Sequence, residues 1–178
     1  MPEAVGVDVE MEVPTEESHV FVCRHCGTNH FPQTIEEGGI RVVGHPAGAP
    51  KCPVCREAMA HALLDDDHPI DFCLKCRGVL LPRPTFALVV QKRRAWATGP
   101  PTEPVPLDRR ELHRNLRCPS CGGGFDTYPH LGPGAVVVDN CVGCDRIWLD
   151  FGELKGIVDA PGRDRGSRPV HRAGQRGA

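Results

Sequence analysis

The chain has 178 residues, a formal net charge of −2, 20 Gly, 18 Pro and 10 Cys, and only 5% aromatic residues. Such a composition argues against one large apolar core, and the near-neutral charge against a strongly basic nucleic-acid binder. Units of roughly 40 residues or fewer seldom fold without metal or disulfides, so several small stapled units are expected.

The elements follow in chain order. Residues 1–18 carry six acids and no Lys or Arg, and read as a disordered acidic arm. They lack the basic start and apolar run of a secretory leader, and no stretch approaches about 18 consecutive apolar residues. The protein is therefore expected in the reducing cytoplasm, away from membranes, where ten cysteines suggest metal more than disulfides. Residues 19–50 form an N-terminal Cys-x-x-Cys segment with apolar runs at 20–22 and 40–43. Residues 51–97 form a first cysteine-rich unit, with a strand at 71–73. Pro84 suits the first turn of a helix running through Phe86 to about Trp96. Residues 98–107 are a proline-rich, extended linker.

Residues 108–159 form a second unit. Asp108 with Glu111, and Asp150 with Glu153, both have capping-box spacing before apolar helical positions. A strand is expected at 135–139, after the Gly132-Pro133-Gly134 turn. From Ala160 the chain reads as a basic, disordered tail: Arg163, Arg165, Arg168, Arg172 and Arg176 stand against one acid, Asp164.

The ten cysteines form five Cys-x-x-Cys knuckles: 23/26, 52/55, 73/76, 118/121 and 141/144. The gaps of 17 and 19 residues inside the second-to-third and fourth-to-fifth pairs suit two knuckles sharing one metal. A shift of 66 aligns Cys52 and Cys55 with Cys118 and Cys121. A shift of 68 aligns Asp71, Cys73, Cys76, Val79, Leu81, Phe86, Val89 and Val90 with Asp139, Cys141, Cys144, Ile147, Leu149, Leu154, Ile157 and Val158. Each unit therefore reads as knuckle, loop, strand, knuckle and short helix. Zinc takes four thiolates tetrahedrally, with Zn–S about 2.3 Å, and a full thiolate shell leaves no position for catalysis. Pro53 and Pro119 pre-set the knuckle turns, and Gly122 supplies a positive φ. Iron, which four-sulfur sites also accept, and redox disulfides are the competing readings.

Cys118-Pro119-Ser120-Cys121-Gly122, the strand into Cys141-Val142-Gly143-Cys144, and Ile147-Trp148-Leu149-Asp150-Phe151-Gly152-Glu153-Leu154 together resemble the transcription-factor-IIB-type zinc ribbon family. The resemblance covers roughly residues 116–158. The first copy, 52–90, resembles a diverged member, with Leu80-Leu81-Pro82-Arg83 where the second has Trp148-Leu149-Asp150-Phe151. The resemblance implies a small, metal-stabilised, mainly β fold of tandem zinc ribbons, each with a short helix after its second knuckle. It implies zinc on Cys52, Cys55, Cys73 and Cys76 and on Cys118, Cys121, Cys141 and Cys144, and it suggests transcription. Physically, Trp148 is placed to cover the metal site, and Asp150 to cap the following helix with Glu153 completing the box.

Cys23 and Cys26 have three open readings: a third zinc with His30 and His45, a pairing with Cys52 and Cys55, or no metal. Function is read as a zinc-binding, non-enzymatic module that presents a surface to nucleic acid or transcription machinery. The grounds are Lys92-Arg93-Arg94, the cluster Arg109, Arg110, Arg114 and Arg117, and the arginine tail. The alternatives are a protein-interaction scaffold without nucleic acid and, third, a thiol–disulfide oxidoreductase, which would need free thiols of low pKa. No H-E-x-x-H motif occurs, and no catalytic residue or small-molecule substrate is evident.

Overall fold

The computed structural model describes residues 38–167 and two short strands before them, β1 (Phe21–Val22) and β2 (Asn29–His30), which pair antiparallel. The remaining elements are β3 (Ile40–Gly44), β4 (Ala60–Leu64), β5 (His68–Phe72), β6 (Val79–Pro82), α1 (Arg83–Trp96), β7 (Asp126–Pro129), β8 (Val137–Cys141), β9 (Arg146–Leu149) and α2 (Glu153–Asp159). Among the described residues no helix is long and apolar enough to cross a membrane.

One antiparallel sheet runs β3-β4-β5-β6-β9-β8-β7. The sequence repeat maps β4, β5 and β6 onto β7, β8 and β9, so the strand order is a palindrome about the β6–β9 seam, with β3 added at one edge. At the seam Val79 faces Leu149, Leu80 faces Trp148, Leu81 faces Ile147 and Pro82 faces Arg146. Leu80 and Trp148 are repeat equivalents, so a pseudo-two-fold axis passes between them. The 98–107 stretch therefore connects two halves of a single sheet.

Side chains alternate across a strand, and this splits the core in two. Val79, Leu81, Ile147 and Leu149 face the helices. There they pack with Ile40, Val42, Leu64 and Phe72 from the sheet, Phe86 and Val89 of α1, and Leu154 and Ile157 of α2. Leu80 and Trp148 point the other way and pack with Cys52, Cys73 and Met59. The helices thus lie over one face and the cysteine knuckles lie against the other.

Helix α1 begins as its sequence suggests, with Pro84 in the first turn and no side-chain cap. The seven residues of α2 are too few for independent helicity and rely on packing. A fully buried arginine secures them. Arg94 of α1 donates to the Ile157 carbonyl at 2.5 Å and the Ala160 carbonyl at 2.9 Å, where α2 ends. It also pairs with Asp164 at 2.5 Å. Arg165 donates to the Gly99 carbonyl at 2.9 Å. Residues 160–167, expected to open a disordered tail, are docked by these bonds. Asp164 and Arg165 serve internal partners that no local sequence pattern announces.

Both capping-box expectations need correction. Asp108 accepts from the Arg110 backbone N–H and guanidinium, and only a single 3-10 turn, Glu111–His113, follows. At α2 only half the box forms. The Glu153 carboxylate accepts the Asp150 N–H at 2.6 Å, but the N-cap is Gly152, in the left-handed region at φ 88°. The Asp150 carboxylate is used elsewhere.

Candidate metal centres

The four knuckles share one backbone solution. In each, the residue after the second cysteine has a positive φ: Arg56 (65°), Arg77 (61°), Gly122 (74°) and Asp145 (54°). Glycine is thus used in one of four, and elsewhere the turn imposes the strained conformation on a larger residue. The turn is closed by paired backbone bonds. The Cys52 N–H donates to the Glu57 carbonyl at 2.8 Å and the Arg56 N–H to the Cys52 carbonyl at 3.0 Å. The same pair recurs at Cys73 with Gly78 and Arg77, and at Cys118 with Gly123 and Gly122. The turn aims N–H groups at sulfur, as in the 3.4 Å bond from the Cys55 N–H to the Cys52 Sγ.

Cys52, Cys55, Cys73 and Cys76 converge in one group, and Cys118, Cys121, Cys141 and Cys144 in another; within each, all Sγ atoms lie within 4.8 Å of one another. The close pairs are Cys52–Cys76 and Cys118–Cys144 at 3.4 Å, Cys55–Cys73 at 3.3 Å and Cys121–Cys141 at 3.4 Å. A tetrahedron with Zn–S bonds of about 2.3 Å has S–S edges of about 3.8 Å, so the spacing suits a four-coordinate ion. All eight thiols are free of disulfides. Burial pushes the Cys52 thiol up to about 11 against the pull of the Cys55 and Val54 N–H groups, and raises Cys76 and Cys144 as well. The Gly123 N–H lowers Cys121. Thiols held so high are poor nucleophiles when protonated, whereas a coordinated zinc ion would deprotonate them. The donor set, the convergence and the N–H groups fit two structural Zn2+ ions.

Trp148 covers a metal site, and it is the site of the other ribbon. Its fully buried indole packs with Cys52, Cys73, Met59 and Leu80. The ring lies against Gly78, just beyond the second knuckle of the first site, where an added Cβ would stand 2.1 Å from the Trp148 Cζ2. The Trp148 Nε1–H donates to Asp150 at 2.9 Å. Arg114 bridges Asp150 to the fully buried Asp139, which also accepts from Thr127. The first repeat offers Asp71 instead, held by His61 at 3.0 Å and by Arg146 of the second ribbon at 2.9 Å. Arg83 pairs with Asp145 at 2.5 Å, and the Arg77 guanidinium lies 4.2 Å from the Phe151 ring centroid, so each ribbon clasps the other's second knuckle.

The third site has a different standing. Cys23 and Cys26 lie outside the described residues, as does the side chain of His30, and His45 is exposed. Sequence reasoning missed Gly78, Met59 and Arg114 as parts of the centre. A glycine two residues beyond a knuckle was the one local signal.

Residues 117–160 match the model of the transcription factor zinc-finger family, the transcription-factor-IIB-type zinc ribbon. The match starts one residue before Cys118 and ends just past α2. The first ribbon is tied to it by the sequence repeat and by a second four-cysteine group of the same build. No curated protein and no solved structure matches the chain.

Proposed function

We propose that this zinc-built module is a non-enzymatic platform for a protein partner, with the transcription machinery as the class that the family match favours. The observation that carries the choice of protein over nucleic acid is the fate of the arginines. Arg94 is buried against Asp164 and backbone carbonyls, Arg93 pairs with Asp65 at 2.7 Å, and Arg114 is spent on Asp139 and Asp150. Lys92 alone of the 92–94 cluster is exposed. Each four-thiolate zinc site adds a formal charge of −2, taking the chain from −2 to −6. Among the described residues Arg109, Arg110, Arg117 and Arg163 stay exposed, but the withdrawal of Arg93, Arg94 and Arg114 reduces the basic surface on which recognition of a phosphate backbone depends.

A cavity of about 470 Å³ supports a peptide as the bound species. It lies between the 102–108 segment, the loop before β8 and α2, and its apolar wall includes Val105, Leu107, Val136 and Phe151. Glu103 and Glu111 line it as well. The complementary occupant is an extended segment with an apolar side chain beside a lysine or arginine.

Two measurements test this. A peptide array probed with the zinc-loaded chain should select apolar-basic segments, and Val105→Glu, at a side chain 76% exposed, should abolish selection without unfolding the protein. Mobility shifts with DNA and RNA at low salt should be absent. A nucleic-acid complex that weakens steeply with added salt would replace this reading with the nucleic-acid one.

A further inference from the structure

The two zinc centres are built alike but shielded differently, and the difference is confined to a few positions. In the first site Glu57, just past the first knuckle, pairs with Lys75 inside the second at 2.9 Å. This ion pair straddles the mouth between the knuckles. The repeat places Gly123 and Gly143 at the equivalent positions of the second site. A Cβ at Gly123 would lie 3.4 Å, and one at Gly143 3.9 Å, from the Cys121 Sγ, so these glycines bound the approach to that sulfur. The Gly122-Gly123-Gly124 run that follows Cys121 offers no side chain where the first site has Arg56, Glu57 and Ala58. The inner cysteines are buried alike, Cys52 and Cys73 in the first site and Cys118 and Cys141 in the second, but of the equivalent outer pair Cys55 is half-buried whereas Cys121 is exposed.

We propose that the second zinc centre is a site of oxidative modification, entered at Cys121 by a small two-electron oxidant such as hydrogen peroxide, while the first centre is protected. The chemistry balances in two steps. The Cys121 thiolate attacks peroxide, breaking the O–O bond, to give a sulfenic acid and hydroxide. The Cys141 thiolate, whose sulfur lies 3.4 Å away, then displaces a second hydroxide and forms the disulfide. Two thiolates and one peroxide thus yield one disulfide and two hydroxides, and the ion, left with two ligands, is released. Loss of this ion frees the β7–β8 end of the sheet, while the first ion still holds the other half.

The test uses the full chain loaded with zinc. Peroxide is added, zinc is followed with a metallochromic dye, and cysteines are mapped by differential alkylation and mass spectrometry. Release should be biphasic, with the fast equivalent accompanied by a Cys121–Cys141 disulfide and the slow one behind it by on the order of tenfold. Gly123 and Gly143 have no positive φ, so Gly123→Glu with Gly143→Lys can install the missing ion pair without backbone strain. This double variant should slow the fast phase severalfold. Simultaneous release of both ions, earlier oxidation of Cys52 or Cys73, or an unchanged fast phase in the double variant would each overturn the proposal.

Discussion

Removing the Trp148 indole should weaken both ribbons, because this one side chain is core for two of them. Trp148 is fully buried at the pseudo-two-fold axis. Burial of about 250 Å² at about 25 cal/mol per Å² sets a ceiling near 6 kcal/mol, and Trp→Ala changes in cores cost about 3–5 kcal/mol. The bond from Nε1–H to Asp150 adds about 1 kcal/mol. Trp148→Ala should therefore cost about 4–6 kcal/mol, a large share of a typical net stability of about 5–15 kcal/mol. Gly78→Ala probes the same contact from the other side, since its Cβ would press to 2.1 Å from the ring and force a shift worth about 1–3 kcal/mol. Once the indole is gone, that Cβ meets no ring, so Gly78→Ala should be close to neutral in the Trp148→Ala background. The assay is urea unfolding by far-ultraviolet circular dichroism in a zinc buffer, run as a double-mutant cycle. We expect a coupling of about 1–3 kcal/mol. Additive effects of the two substitutions would refute the claim that Trp148 seals the first ribbon's centre.

Three further outcomes follow from the geometry. Arg94→Met keeps the apolar stem but strands the Ile157 and Ala160 carbonyls, and should cost about 2–3 kcal/mol in urea unfolding. Burial pushes the Glu153 carboxyl up to about 8, so between its usual 4.5 and 8 the folded state holds a proton that the unfolded state has lost, and stability falls as pH rises through that window. Glu153→Gln keeps an acceptor for the Asp150 N–H and should match the parent near pH 4.5 but exceed it by a few kcal/mol above pH 8, read as the difference in unfolding midpoints at each pH. Chelation of both ions should abolish the cooperative transition, since a structural site contributes roughly 10–16 kcal/mol of apparent binding energy; calorimetry with and without chelator reads it.

Much of the centre was legible because its logic is local. Two cysteines three residues apart turn about one ion, and the repeat of spacing with matching apolar positions pairs the knuckles correctly. Helix α1 was equally readable, since Pro84 and the apolar positions at Phe86 and Val89 act within a few residues of each other. The capping role given to Asp150 failed because its carboxylate meets Trp148 and Arg114, the latter 36 residues away in sequence. The partners of Arg93 and Arg94 were hidden for the same reason: Asp65 and Asp164 come from other elements.

By itself, then, the sequence determined which eight cysteines form two zinc shells, and roughly where strands and helices flank them, because ligand spacing and apolar period are short-range codes. Only the tertiary structure decided that the two ribbons merge along β6 and β9, that Trp148 guards the centre of its neighbour, and that the second centre stands open at Cys121. Strand pairing between repeats carries no signal of its own, since the same half-buried edge suits many partners. The choice is made by shape: Gly78 leaves room for the indole.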